Sequence, residues 1–123
     1  MNWYTNTVPK CEDHKCSEEI LVSVFNRQWN IKRVLRAVYI PDHHVTVEDM
    51  GWNMWWNMWD GVPEEWQYDE DLDSWWISEG WYEIADNFDE YQYAEISGEV
   101  YAWANLPKPY EPKVKDLSKE LIK

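Results

Sequence analysis

Two apolar runs stand out in the first third of the chain, Ile20-Leu21-Val22-Ser23-Val24-Phe25 and Val34-Leu35-Arg36-Ala37-Val38-Tyr39-Ile40. Both are rich in β-branched residues, which favour strands buried on both faces or nearly so. Pro41 ends the second run, because proline cannot donate to a strand ladder. The short segment 26–32 between the runs predicts a hairpin, and we expect these two strands to form the centre of a sheet.

Shorter strand signals follow in the second half of the chain. Residues 75–84 predict one or two short strands around Gly80, and residues 91–96 alternate between polar and apolar side chains. Residues 97–98 predict a turn, after which residues 100–104 predict an edge or return strand.

The fold class that these signals predict is α+β. We expect a mostly antiparallel β-sheet of about four to six strands, with one inserted Trp-rich helix and a short C-terminal helix. The 123 residues are expected to form a single domain, with an insertion at about 42–75 and a terminal helix and tail at 110–123.

The inserted helix is predicted from the run Gly51-Trp52-Asn53-Met54-Trp55-Trp56-Asn57-Met58-Trp59-Asp60. On a helical wheel its tryptophans recur with the period of one helix face, and they are Trp52, Trp55, Trp56 and Trp59. The alternative is a strand with the indoles divided between its two faces, since Trp favours strands.

The ends of this helix are also predicted by local signals. Thr46 followed by Asp49 resembles a capping box with Asp in place of Glu or Gln. Gly61 and Pro63 predict the end, because glycine accepts a left-handed cap and proline cannot continue a helix. We therefore expect a helix over residues 47–60.

Charge is distributed unevenly along the chain, whose formal net charge is −13. Residues 37–107 contain 17 of the 24 acidic residues and none of the 11 basic ones. A field of this sign repels phosphate backbones and attracts basic surfaces, so we expect a protein partner with a basic surface and no direct nucleic-acid binding. The alternative is that the charge serves only solubility.

The most negative segment lies at residues 64–74. Its carboxylates are Glu64, Glu65, Asp69, Glu70, Asp71 and Asp73. Groups of like charge at this spacing repel one another, so we expect an exposed loop or a short helix. The aromatic residues Trp66 and Tyr68 are expected to turn inward.

Soft metal ligands occur at Cys11, His14, Cys16, His43 and His44. The spacing of the two cysteines is wider than the paired spacing of diagnostic zinc motifs, so we predict reduced thiols, no metal site and no other cofactor. Carboxylates beside indoles also suit a glycosidase cleft, but so many acids always include a suitable pair. Since no hydrolase, phosphate-loop, dinucleotide or metalloprotease motif is present, we predict a non-enzyme without catalytic residues.

Several of these elements together resemble domain-of-unknown-function family 551, a family of small proteins common in phages and prophages. They are Trp3, Pro9, residues 20–24, Gly80-Trp81-Tyr82 and Val100-Tyr101-Ala102-Trp103-Ala104-Asn105-Leu106-Pro107-Lys108-Pro109. The last match is the most specific, although Ala102 and Ala104 stand where the family usually has His and Met. The resemblance covers about half of the chain. It implies a compact β-rich domain in a phage or mobile-element setting, and it implies no activity.

These features predict a small acidic protein that binds another protein. Its predicted protein-binding residues are Trp52, Trp55, Trp56, Trp59, Glu64, Glu65, Asp69, Glu70, Asp71 and Asp73, because Trp is enriched at interface hot spots and carboxylates attract basic partners. The sharpest version is an inhibitor of phage type that blocks a host nucleic-acid-binding or defence protein by acidic surface mimicry.

Two other functions are compatible with the same residues. One is a carbohydrate- or small-ligand-binding module that uses Trp and carboxylates, and the other is a structural virion part. No apolar run approaches the length of a membrane span and no secretion signal is recognised, so we expect a cytoplasmic protein without membrane contact, in the host cytoplasm if phage-encoded.

Overall fold

The computed structural model describes residues 2–51, 63–87, 90–96, 98–110 and 112. Its elements in chain order are β1 Ile20–Asn26, β2 Ile31–Ile40, α1 Val47–Met50, β3 Gln67–Asp69, β4 Ser74–Trp76, β5 Gly80–Asn87, β6 Glu90–Glu95 and β7 Glu99–Asn105. The two predicted apolar runs therefore form β1 and β2. Within the described residues, no helix is long and apolar enough to span a membrane.

A five-stranded antiparallel sheet with the order β6-β5-β2-β1-β7 forms the body of the protein. β2 is the central strand and pairs with β1 from Ile20↔Ala37 to Asn26↔Ile31, which confirms the predicted hairpin. A second sheet contains only β3 and β4. The expectation of a mostly antiparallel sheet is thus confirmed.

The main sheet must curl, because its two edge strands are joined by residues 96–98 alone. The four Cα–Cα steps from Glu95 to Glu99 span at most about 14 Å, whereas the edges of a flat five-stranded sheet lie about 19 Å apart. Gly98 lies where this link approaches β1. Its φ is +128°, and a Cβ there would lie 3.1 Å from the Phe25 carbonyl oxygen. β7 is an edge strand, as expected, but it pairs with β1 and does not return along β6.

Apolar side chains pack on both faces of this sheet because residues alternate between faces along each strand. One core contains Ile20, Val22, Val24 and Ala37, with Leu35, Trp81, Ile96, Val100 and Trp103 packed against it. The other contains Val38, Ile40, Val45, Val47, Trp66, Ile77, Tyr82 and Ile84. The second core is covered by α1 and by the segment around β3 and β4, so the insertion between β2 and β5 adds a layer to the sheet.

The predicted Trp-rich helix is not confirmed. The capping box is present, since the Thr46 side chain accepts from the Asp49 N–H and the Asp49 side chain accepts from the Thr46 N–H. However, α1 ends at Met50, and Gly51 is a left-handed cap with φ 65°. The rest of the predicted helix and the predicted C-terminal helix both lie outside the described residues. The described chain is therefore mostly β-strand with very little helix, and the predicted α+β class is not confirmed.

A core substitution tests this arrangement. Ile40 is fully buried beneath α1 and the β3–β4 segment, whereas Ile31 on the same strand is 47% exposed. We expect Ile40→Ala to lower the free energy of unfolding by about 2–5 kcal/mol and Ile31→Ala to change it by no more than about 0.5 kcal/mol. Urea unfolding followed by tryptophan fluorescence measures both, and equal losses would contradict the assignment of the second core.

Candidate protein-binding site

Four of the six predicted carboxylates, those of Asp69, Glu70, Asp71 and Asp73, lie on one hairpin, formed by β3, residues 70–73 and β4, which we call the acidic hairpin. It is fastened to the body on one side, because Thr46 forms an isolated bridge with Trp76 and the Ile77 N–H donates to the Val45 carbonyl at 3.0 Å. Trp66, just before β3, is buried in the second core. The base of the hairpin is therefore anchored while its turn projects outward.

Asp69 organises the turn of the acidic hairpin. Its Oδ1 accepts hydrogen bonds from the N–H groups of Asp71 and Leu72 at 3.0 and 3.2 Å. Its Oδ2 accepts from the indole Nε1–H of Trp76 at 3.1 Å. The indole bond, followed by the backbone bonds, lowers the pKa of the Asp69 carboxyl below its usual value. This carboxylate thus serves the structure of the hairpin, since its acceptor sites are already used within it.

Asp73 is also occupied within the hairpin. It has a left-handed backbone with φ 48°, and its Oδ1 accepts a hydrogen bond from the Tyr68 hydroxyl. That bond raises the pKa of the Tyr68 phenol. The Tyr68 ring also lies 5.3 Å from the ring of Trp75 directly across the hairpin. These contacts hold Tyr68 against β4 and leave its outer edge uncovered.

Glu70 and Asp71 remain as the outward-facing carboxylates of the turn. Both are exposed, and the hydrogen bonds and ion pairs of the described residues involve neither of their carboxylates. Glu64 and Glu65 are exposed at the base. The structure thus brings all six predicted acidic residues together on one segment, but it separates the free carboxylates from the two used internally.

Exposed apolar surface lies among these carboxylates. Leu72 is 50% exposed and Tyr68 is 47% exposed. The expectation that Tyr68 turns inward was therefore wrong, whereas the same expectation for Trp66 was correct. The physical reason is that the turn extends beyond the second core, so only the residue at the base reaches it.

His43 is a neighbour of the hairpin that sequence reasoning did not assign to it. Its ring stacks on the ring of Trp76 with centroids 4.1 Å apart and an interplanar angle of 27°. A positive charge on the His43 ring also contributes to the lowered pKa of the Asp69 carboxyl. The predicted indoles Trp52, Trp55, Trp56 and Trp59 lie outside the described residues.

The cysteines lie in the segment that leads into β1. The Cys11 thiol contacts the carbonyl oxygens of Pro9 and Tyr39, each at 3.7 Å. Burial raises the pKa of both thiols, and the proximity of Cys16 raises that of Cys11 further. A raised pKa keeps a thiol protonated and lowers its reactivity at neutral pH.

The histidines point to separate partners. Apart from His43, the contacts are His14 Nδ1 to Asp49 Oδ2 at 3.7 Å and His44 Nε2 to the Glu12 carbonyl oxygen at 2.6 Å. In the part of the chain that the structure describes, no three His, Cys, Asp or Glu side chains are placed to hold a metal ion.

A surface depression of about 460 Å³ lies away from the acidic hairpin, at the end of β7. It is lined by Asn2, Tyr4, Asn105 and Pro107. These residues include none of the paired carboxylates on which glycoside hydrolysis depends. The depression therefore lends no support to a sugar-cleaving site.

Comparison with known proteins finds no matching protein-family model, curated protein or solved structure. The resemblance to family 551 therefore rests on the residues quoted above and stays a prediction.

The lowered pKa of Asp69 predicts how the acidic hairpin responds to acid. A carboxylate whose pKa is lower in the folded state contributes its stabilisation above about pH 4 and loses it as the pH falls through the lowered value. We expect the protection factors of the Trp76 indole N–H and the Leu72 amide, which compare the exchange rate measured by NMR with the intrinsic rate at the same pH, to fall over that range. Asp69→Ala should exchange fast already at neutral pH, whereas Asp71→Ala should behave like the parent.

The absence of a metal site also stays a prediction. A structural zinc would couple metal binding to folding, so chelation would unfold the protein. We expect protein purified without a histidine tag to contain no stoichiometric zinc and to keep its melting temperature in a chelator. One tightly held zinc per chain would overturn the prediction.

Proposed function

We propose that this protein binds a partner protein with a basic surface through the acidic hairpin, and that it acts by blocking that surface without catalysing a reaction. The observation that carries the proposal is the exposed turn, in which Glu70 and Asp71 immediately precede the half-exposed Leu72. Asp69 holds this turn in one conformation through three hydrogen bonds. A turn that is ordered before binding loses less entropy when a partner docks.

The carboxylates would act mainly during the approach of the partner. Glu70 and Asp71 are exposed, so each contributes little to affinity once salt screens it. Their field adds to that of the surrounding chain, because residues 37–107 hold 17 acidic residues and no basic ones. A field of one sign over so large a part of the chain accelerates association with a basic partner and slows association with an acidic one.

The apolar side chains would act after contact. Leu72 and Tyr68 offer apolar surface in the middle of the carboxylates, and aromatic anchors surrounded by polar groups are the usual form of a binding hot spot. Trp52, Trp55, Trp56 and Trp59 are proposed as further anchors, since they follow α1 directly in the chain and α1 contacts β4.

The proposed target is a host nucleic-acid-binding or defence protein. Such proteins expose basic grooves that bind phosphate backbones, and a compact acidic surface can occupy a groove of that kind. The resemblance to family 551 supports a phage or mobile-element setting, and hence action in the host cytoplasm. No described feature specifically favours sugar binding or a virion role.

Charge reversal on the turn tests the proposal. The parent protein is used to capture partners from host lysate at low salt, and the kinetics of each purified partner are then measured by surface plasmon resonance. We expect the double variant Glu70→Lys, Asp71→Lys to slow association by at least about tenfold at low salt and much less at high salt. Leu72→Ala should instead speed dissociation, because it removes a contact formed only in the complex.

The matched control reverses two exposed acids elsewhere, Asp13→Lys and Glu18→Lys, which changes the net charge by the same amount. If both double variants slow association equally, the partner responds to net charge and not to the hairpin. If neither slows it, the acidic surface serves only solubility. Salt-insensitive quenching of tryptophan fluorescence by glycans would favour the carbohydrate alternative.

A further inference from the structure

A second exposed surface lies at the turn end of the β1–β2 hairpin, and its charge is opposite to that of the acidic hairpin. It is exposed because β2 is longer than the segment that pairs with β5. β5 pairs with β2 only from Ala37↔Glu83 to Ile40↔Gly80. Beyond Glu83, β5 leaves β2 and pairs with β6 alone, from Ile84↔Tyr93 to Asn87↔Glu90. Residues 31–35 of β2 are paired with β1 on one side. On the other side no described residue pairs with them, and we call that side the open edge.

The direction of the backbone groups along β2 follows from Tyr39. Its N–H donates to Ser17 Oγ at 2.8 Å and its carbonyl accepts from the Ser17 N–H at 2.9 Å, so both groups point toward the chain entering β1. The Trp81 carbonyl, opposite Tyr39, accepts from Ile96 N–H and so points away from β2. Both observations show that the backbone groups of Tyr39 form no hydrogen bonds with β5.

Successive residues of an antiparallel strand direct their backbone groups to alternate sides. Since the register with β1 is continuous from Ala37 to Ile31, Ile31, Arg33 and Leu35 point toward β1, as Tyr39 does. Lys32 and Val34 then point toward the open edge. Two N–H groups and two carbonyl groups are therefore presented there in the geometry of a sheet.

The side chains around this edge combine cations with exposed apolar groups. Lys32 and Arg33 are exposed, and the ion pairs among the described residues include neither of them. By contrast, the nearby Arg27 is already paired with Glu99, with Nε 2.7 Å from Oε1. Val34 is 58% exposed and Trp29, in the turn, is 66% exposed.

We propose that the open edge binds an extended acidic segment of a partner protein by strand addition, next to residues 31–35. Strand addition uses main-chain hydrogen bonds for affinity and side-chain pairs for specificity. In an antiparallel pairing, acidic residues would lie opposite Lys32 and Arg33, and apolar residues would lie opposite Ile31 and Val34. The preferred sequence is therefore apolar-acidic-acidic-apolar. This surface is separate from the acidic hairpin and has the opposite partner chemistry.

A second copy of this chain fits the open edge poorly. Pairing about a two-fold axis perpendicular to the sheet sets Arg33 opposite Arg33 when it is centred on that residue. Centring on Lys32 or Val34 sets Lys32 opposite Lys32 or opposite Arg36. Like charges directly opposite one another destabilise a strand pair. Cations on an edge strand also protect it from unspecific edge-to-edge association. Lys32 and Arg33 therefore disfavour pairing with a second copy of this chain and favour pairing with an acidic strand.

A capped peptide, Thr-Val-Glu-Glu-Val-Thr, is the probe for this proposal. It is titrated into isotopically labelled protein at about 150 mM salt, where charges beyond about 8 Å are screened and the negative field of the whole chain matters little. We expect the largest amide shifts at Lys32 and Val34, with protection of both from hydrogen exchange. The counterpart with two lysines in place of the glutamates should bind at least about tenfold more weakly.

Backbone pairing is tested separately from charge. Val34→Pro removes an N–H that points to the open edge and leaves the bonds to β1 in place, since proline is tolerated on edge strands. We expect it to weaken peptide binding at least about tenfold, whereas Val34→Thr, which keeps the N–H, should stay within about twofold. Methylating the peptide nitrogens of the first valine and the second glutamate should produce the same loss on the unmodified protein, which keeps the test valid if Val34→Pro does not fold.

The charge pattern is tested by Lys32→Glu, Arg33→Glu, which should reverse the preference to the lysine peptide. The variant Glu70→Lys, Asp71→Lys should bind the acidic peptide at least as well as the parent, so failure here is distinguishable from failure of the acidic hairpin. Binding that survives both Val34→Pro and nitrogen methylation would overturn the proposal. So would amide shifts confined to other parts of the protein, or no binding at all.

Discussion

The pairing of β2 determines most of this structure. Because β2 lies at the centre of the sheet, its alternating side chains enter two different cores, with Ala37 in one and Val38 and Ile40 in the other. β1 pairs with β2 over seven residue pairs, whereas β5 pairs with it over four. Because β5 pairs with only part of β2, the rest of β5 can turn away with β6, which curls the sheet. The turn end of the β1–β2 hairpin then extends beyond the part of the sheet that β5 covers.

The curl is also a consequence of the short link between β6 and β7. A connection of three residues between the two edges of the sheet can exist only if those edges approach one another. Gly98 lies within this link, and two features suit a residue without a side chain: its φ is positive, and a Cβ there would lie only 3.1 Å from the Phe25 carbonyl oxygen. The link that brings the two edges toward one another thus contains a backbone conformation that favours glycine.

The two surfaces proposed for binding are built on the same principle. Each is a hairpin whose base is held by the body and whose turn extends beyond it. In the acidic hairpin the Asp69 carboxylate orders the turn, so a residue that the sequence suggested for partner binding stabilises the hairpin instead. In the β1–β2 hairpin, the ion pair of Arg27 with Glu99 has the same effect on a cation. In both hairpins, only the charges that remain after these internal bonds are available to a partner.

Local patterns were sufficient to predict β1, β2, their hairpin and the start of α1. These features depend on neighbours in the chain, namely the apolar runs, the polar turn and the reciprocal bonds of Thr46 and Asp49. The grouping of the six carboxylates also followed from the sequence, because they are close together in the chain.

Other features were decided only by the tertiary structure, because they depend on which distant segments meet. These features are the pairing of β7 with β1 and the open edge of β2, which exists because β5 pairs with β2 only over residues 37–40. The separation of Asp69 and Asp73 from the free carboxylates depends on a local fold instead, since the indole of Trp76 and the hydroxyl of Tyr68 reach them only once the acidic hairpin has formed. The sequence by itself determined which residues are charged or apolar, whereas the fold decided which of them remain exposed, because exposure depends on where the body of the sheet ends.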